Sequence, residues 1–206
     1  TIRLMIQESP RPSLAPYPVL PVSDLLAGAA ETWPERIAVV DGISEAEYTF
    51  ARLWEASRGV ARALQDEGVE PGDRVAIVAP NSPEWVVAFH GALLAGSTVT
   101  TLNPLYKERE IAHQFGDSEP KAVFVADATA ETTRAVWGHD DRFHHTAEVW
   151  ELATAGEPAP VEIDPMTART SSANSSAVAW GCDDSARMMA NRWAVTIAIV
   201  DDGGHP

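Results

Sequence analysis

The stretch that decides the fold begins Gly72-Asp73-Arg74-Val75-Ala76-Ile77-Val78-Ala79-Pro80-Asn81-Ser82-Pro83-Glu84-Trp85 and closes on Lys121-Ala122-Val123-Phe124-Val125-Ala126-Asp127. Val75 to Ala79 is a short apolar run with β-branched residues, stopped by Pro80, as a strand buried on both faces requires. Asn81 or Ser82 can cap a helix, and Pro83 fits its first turn. From Trp85 to Ala95 nearly every residue is apolar or small, which predicts a helix buried all round, ended at Gly96. Val99 to Leu102 reads as a second strand. Asn103-Pro104 then turns the chain into a second helix, on which Ile111 and Phe115 share a face. Val123 to Ala126 is a third strand. Strands alternating with helices predict a parallel sheet with helical crossovers, an α/β fold.

Working outward from this centre, Thr49 or Phe50 opens a helix through about Glu67, with Leu53, Val60, Ala61 and Leu64 at helical spacing and Gly68 at the end. Arg52, Arg58 and Arg62 lie on its other side, interleaved with Glu55 and Asp66. Such a stripe reads as a solvated helix face rather than an anion site. Ile37 to Phe50 reads as a hairpin with its turn at Asp41-Gly42. Ser23 is the candidate cap of a helix through Ala30, with Leu25, Leu26 and Ala29 on its inner side. Residues 1–22 form a proline-rich extended lead-in. Downstream, residues 128–137 read as a helix and Gly138 to His145 as a polar surface loop. Glu148 to Leu152 fits a short helix, residues 153–165 a linker, and residues 166–206 an unassigned tail without family resemblance, in which Ala194 to Val200 has the character of a buried strand.

Composition bounds the partners. The chain has 206 residues, 45% of them hydrophobic, which suffices for one real core. Its net charge of −15 opposes a phosphate backbone, so nucleic acid is not an expected partner. No apolar run approaches a membrane span. A single cysteine, Cys182, excludes an internal disulfide framework and fits a reducing cytoplasm.

The segments Gly72-Asp73-Arg74-Val75-Ala76, Pro80-Asn81-Ser82-Pro83-Glu84 and Asn103-Pro104-Leu105-Tyr106 leading to Glu110-Ile111 resemble the N-terminal part of the AMP-forming acyl-CoA synthetase and ligase family. The resemblance runs from about Pro18 to about Ala128 and is similar above all to the 4-coumarate–CoA and fatty acid–CoA ligase branch. It implies the N-terminal subdomain of the adenylate-forming fold across residues 23–152. It also implies, for an intact enzyme, conversion of a carboxylic acid (aromatic or fatty), ATP and coenzyme A into acyl-CoA, AMP and pyrophosphate, with Mg2+ as cofactor. A peptide-synthetase adenylation domain or a luciferase-like protein is the neighbouring alternative. A short protein that keeps the scaffold for binding alone is the reading from a different class.

The family's Ser/Thr/Gly-rich phosphate loop, [ST]-[ST]-G-[ST]-T-G-x-P-K-G, is expected after the linker. Ser171 to Ser176 supplies hydroxyls but no glycine, and no Lys-Gly follows, so it is not read as that loop. No catalytic, cofactor-binding or metal-ligating residue is therefore assigned. The chain alone is expected to be inactive, to bind none of these cofactors well, and to be marginally stable, with the apolar helix from Pro83 to Ala95 short of partners. A dinucleotide fold is excluded because Pro80-Asn81-Ser82-Pro83 replaces the glycine-rich turn. His139, Asp140, Asp141, His144 and His145 could suggest a metal, but their spacing fits no ligand motif. His90, inside the apolar helix, is read as a core or interface residue rather than a base. Cys182 is read as an inert thiol. Asn103 is read as a turn residue helping to shape the acid-binding side.

Overall fold

A computed structural model of the protein describes residues 20–139, 141–152 and 156–161. Most of the lead-in and the whole tail, with Ser171 to Ser176, Cys182 and Ala194 to Val200, lie outside the described residues. The elements run α1 (Val22–Thr32), β1 (Ile37–Val40), β2 (Glu47–Thr49), α2 (Phe50–Asp66), β3 (Arg74–Val78), α3 (Pro83–Leu94), β4 (Thr98–Leu102), α4 (Glu108–Ser118), β5 (Ala122–Val125), α5 (Asp127–Trp137), β6 (Phe143–His145) and α6 (Val149–Leu152).

β1 and β2 form an antiparallel hairpin. Its turn is set by Asp41, whose carboxylate accepts the N–H groups of Ile43 (2.7 Å) and Ser44 (3.1 Å). Those two bonds hold the Asp41 carboxyl below the usual carboxylate range. The other four strands form a parallel sheet in the order β4-β3-β5-β6. β3 is therefore central, and Val75, Ala76, Ile77 and Val78 are completely buried.

The alternation of side chains along β3 and β5 divides the core in two. Val75, Ile77, Ala122 and Phe124 pack with α2, α3, α1 and α6 on one face. Ala76, Val78, Val123 and Val125 pack with Ile111 and Phe115 of α4, Trp137 of α5 and Phe143 of β6 on the other. This is the expected sheet with flanking helices.

The predicted caps hold where the side chain is free to bend back. The Ser82 hydroxyl accepts the Trp85 N–H (3.2 Å) with Pro83 at the first helical position. The Thr49 hydroxyl accepts the Arg52 N–H (3.2 Å). Gly96 ends its helix with φ +82°. α1 differs from expectation. It starts two residues earlier than a Ser23 cap implies, at Val22 behind Pro21, so Ser23 lies within the helix as a buried residue. Its inner line is Ser23, Leu26 and Ala30, while Leu25 is 60% exposed.

α3, expected to be buried all round, is buried on one side and half-buried on the other. Val87, Ala88, Ala92 and Ala95 are completely buried, and Trp85, Val86, Phe89 and Leu94 are half-buried against the same cluster. The contact with α2 is unusually close. A Cβ placed on Gly91 would stand 2.4 Å from Val60 Cγ1 and 3.0 Å from the Ser57 carbonyl oxygen. The exposed large apolar side chains belong instead to α1, the hairpin and the Leu105-Tyr106 turn.

The stretch read as a surface loop, Gly138 to His145, ends in β6, which pairs in parallel with β5. Phe143 supplies the apolar anchor: its ring is buried, and the Arg134 guanidinium lies 3.9 Å from the ring centroid.

Candidate functional site

Ligands of open α/β sheets bind at the carboxyl ends of the strands, where neighbouring strands send their helices to opposite faces. Here that position lies between β3, followed by α3, and β5, followed by α5. Its rim is made by Pro80-Asn81-Ser82 after β3, Asn103-Pro104 after β4, Asp127 after β5 and His145 at the end of β6.

The crevice itself is filled. The carbonyl of Val78 accepts the buried Thr129 hydroxyl (2.5 Å) and the Ala126 N–H (3.2 Å), which stitches the two strand ends together. The helix N-termini around the rim, which would otherwise attract anions, are also satisfied. In α3, Pro83 has no N–H, the Ser82 hydroxyl holds the Trp85 N–H, and Glu84 adds a negative charge. α4 carries Glu108 and Glu110 in its first turn, with Glu110 accepting the Lys107 N–H (3.1 Å). α5 opens with Asp127. A triphosphate would meet a carboxylate at each of these three termini, so the described rim does not fit a nucleotide.

Five of the motif residues that carry the family resemblance, Gly72, Asp73, Arg74, Glu84 and Asn103, have an architectural task. Gly72 adopts φ +92°, and Asp73 closes the turn by accepting the Glu70 N–H (2.9 Å). The Arg74 guanidinium reaches across to the end of α4. Its Nε donates to the Ser118 carbonyl (2.6 Å) and its terminal nitrogen to the Glu119 carbonyl (3.0 Å). Glu119 sits in the left-handed region at φ 43°, so Arg74 satisfies carbonyls that a helix leaves unpaired. The Asn103 side chain accepts the Leu105 N–H (2.9 Å), and its carbonyl accepts the Tyr106 N–H (3.0 Å), the expected turn. Glu84 accepts the Trp150 indole N–H (2.8 Å).

His144 and His145 diverge, as adjacent residues on a strand must. The His144 ring stacks on Phe124 and its Nε2 lies 3.0 Å from Glu67. The His145 Nδ1 lies 2.7 Å from an Asp127 carboxylate oxygen on the rim. Among the described residues, no three His, Cys, Asp or Glu side chains converge on a cation position. The Asp127–His145 pair escaped sequence reading because its partners are eighteen residues apart, in segments read as strand end and loop. His90 is half-buried on α3, with a buried Nδ1 that finds no partner among the described residues. Burial pushes its pKa down from the ordinary 6.5. Its ring meets the neighbouring Phe89 edge to face, with centroids 5.5 Å apart.

The arginine stripe of α2 is engaged within the chain. Arg52 lies over the stacked rings of Tyr48 and Trp150. Arg58 pairs with Glu157, and Arg62 pairs with Asp66 (2.9 Å).

A parallel sheet of this order, covered by helices on both faces, defines an α/β protein whose motifs serve its scaffold. Residues 26–188 match the AMP-binding enzyme family, and the chain belongs to it. The matched span passes Ala128, where the quoted motifs end, and enters the tail. The long-chain-fatty-acid–CoA ligase of Bacillus subtilis (strain 168) is 32% identical over 116 residues, 56% of this chain and 20% of that enzyme. The probable 4-coumarate–CoA ligase 1 of Dictyostelium discoideum is 31% identical over 114 residues, 55% of this chain and 21% of the relative. The N-terminal domain of FACL13 from Mycobacterium tuberculosis superposes with a TM-score of 0.62 at 27% identity, covering 70% of this chain and 39% of that domain. The chain thus spans about a fifth of the length of these two curated relatives. Among the described residues no helix is long and apolar enough to cross a membrane.

Proposed function

We propose that this chain supplies the N-terminal α/β portion of an ATP-dependent acid–CoA ligase acting on a fatty or aromatic carboxylic acid in the cytoplasm. The observation that carries the reading is the 32% identity to a fatty-acid–CoA ligase over more than half of the chain. In the intact enzyme ATP, Mg2+ and coenzyme A are held by parts other than the rim described above, since acidic side chains already occupy its helix N-termini. The role of residues 20–152 is to build the wall on which those parts stand. Alone, the 206 residues catalyse neither acyl-adenylate nor thioester formation. The strongly acidic composition excludes nucleic acid as a partner in this reading.

The test has two arms. Residues 26–137 replace the corresponding segment of the Bacillus subtilis ligase, and acyl-CoA formation by the purified chimera is followed with fatty and aromatic acids. A folded, active chimera is expected. A folded but inactive chimera refutes the ligase reading and leaves a binding scaffold. In the second arm, acid-dependent ATP–pyrophosphate exchange by the 206-residue chain is expected to be absent; detectable exchange overturns the placement of the nucleotide site elsewhere.

A further inference from the structure

After the gap in the described residues, residues 156–161 run back along α2. Three residues at helical spacing on that helix receive them. Arg58 pairs with the Glu157 carboxylate, and an Arg62 terminal nitrogen donates to the Glu157 carbonyl (3.5 Å). The Gln65 amide engages one residue twice: its Nε2 donates to the Ala159 carbonyl (3.0 Å), and its Oε1 accepts the Ala159 N–H (2.7 Å). Val161 then lies against Gly96, where an added Cβ would stand 2.8 Å from Val161 Cγ1.

The local sequence explains why Ala159 is the residue held. In Pro158-Ala159-Pro160 both neighbours lack an N–H, so Ala159 offers the one backbone donor of the three. Such a segment cannot sustain a strand ladder, but it is pre-extended and has little freedom to lose on docking. A glutamine side chain presents the same donor–acceptor pair as a peptide unit. It can therefore read this single residue as a neighbouring strand would.

We propose that residues 156–161 form a strap whose register is set by Gln65, and that the strap fixes where the following chain begins, beside Gly96 at the head of β4. Arg58 and Arg62 supply a charge contact that strengthens docking at low salt, and the amide pair supplies position. The strap opens locally, without unfolding the sheet, because its polar contacts are side-chain bonds at the surface of α2. The inference rests on this geometry and is independent of any catalytic reading.

Residue-resolved hydrogen exchange on the full 206-residue chain tests it. The Ala159 amide is expected to be protected, and Gln65→Ala to accelerate its exchange by about tenfold while β3 and β5 amides keep their rates. Gln65→Glu keeps an acceptor for the Ala159 N–H but loses the donor to its carbonyl, so it should fall between. Arg58→Ala should make the remaining protection less sensitive to added salt. An Ala159 amide that exchanges freely in the unsubstituted chain overturns the proposal. So does one whose protection survives Gln65→Ala, and so does acceleration that spreads equally to β3 and β5.

Discussion

Replacing Gly91 by alanine sets two effects of opposite sign against each other. Alanine is favoured over glycine inside a helix by about 1 kcal/mol. The new methyl would, however, stand 2.4 Å from Val60 Cγ1 and 2.5 Å from Val60 Cβ, with the Ser57 carbonyl oxygen at 3.0 Å. Val60 is completely buried and β-branched, with one strongly preferred rotamer in a helix, and the third neighbour is backbone. Relief requires α2 and α3 to separate by about 1 Å, and a gap of that size forfeits about a quarter to a half of each dispersion contact it opens. The seam includes Leu53, Ala56, Val60 and Leu64 against Val87, Ala88 and Ala92, all buried. Overpacking of a core costs about 1–3 kcal/mol, and the upper end applies where a rotamer-locked valine and backbone must give way, so the net loss after about 1 kcal/mol of helix gain is about 2 kcal/mol. Gly116 in α4 is the internal control, because a Cβ there meets nothing within 4 Å. Gly116→Ala should stabilise by up to about 1 kcal/mol. Urea unfolding followed by tryptophan fluorescence reads both, with unchanged m-values as the check on two-state behaviour. A Gly91→Ala protein as stable as the parent would refute the close-packing argument, as would equal shifts for the two variants. Val60→Ala in the Gly91→Ala background should recover part of the loss, with a coupling above about 0.5 kcal/mol.

Three further outcomes are expected. Arg74→Met keeps the aliphatic stem but strips the Ser118 and Glu119 carbonyls of their donors, so urea unfolding should show a loss of about 1–2 kcal/mol. Arg74→Lys should recover only part of it, since one ammonium cannot span both carbonyls as the guanidinium does. His90 has a folded-state pKa below its unfolded value of 6.5, so the unfolded chain takes up the proton first. Stability is complete above pH 6.5 and falls as the pH drops toward the folded value; His90→Leu should flatten thermal denaturation midpoints over that interval, and an unchanged slope would contradict the assignment. Trp150→Phe keeps a ring beside Tyr48 and Arg52 but leaves the Glu84 carboxylate without its indole donor. A loss of about 1 kcal/mol is expected by thermal unfolding.

The parts of the fold legible in the sequence are those dictated by local chemistry. Val75 to Ala79 could only be a doubly buried strand, and Ser82-Pro83 and Thr49 carried their caps in their own side chains. Leu25 and Ala29 were misplaced because α1 is short and Leu25-Leu26 are adjacent apolar residues, so the sequence alone does not say which of the two marks the centre of the inner line Ser23, Leu26 and Ala30. β6 was hidden because it is three residues long and only Phe143 among them is apolar. His144 and His145 gain their places through Glu67 and Asp127, partners remote in sequence. The close seam at Gly91 stayed hidden for a similar reason: it is a tertiary fact that a list of apolar residues does not contain. At the candidate site, the glycine, aspartate, arginine and asparagine of the family motifs were legible as a family likeness. That they serve as turns and caps was legible only for Asn103.

The central position of β3 has a consequence for synthesis. One edge of β3 is closed by β4, which follows closely in the chain, but the other edge waits for Ala122–Val125. At ribosomal rates of about 5–20 residues per second, about one to four seconds separate the emergence of Leu102 from that of β5. During that interval an apolar, uncharged strand, Val75-Ala76-Ile77-Val78, presents an open row of backbone donors and acceptors. Parallel pairing across a crossover is intrinsically slow, and exposed edges of this composition recruit other chains. The nascent protein is therefore most vulnerable to self-association after β4 has formed and before β5 arrives. Conditions that slow translation through residues 103–121 should lower its soluble yield more than the same delay placed after Trp137.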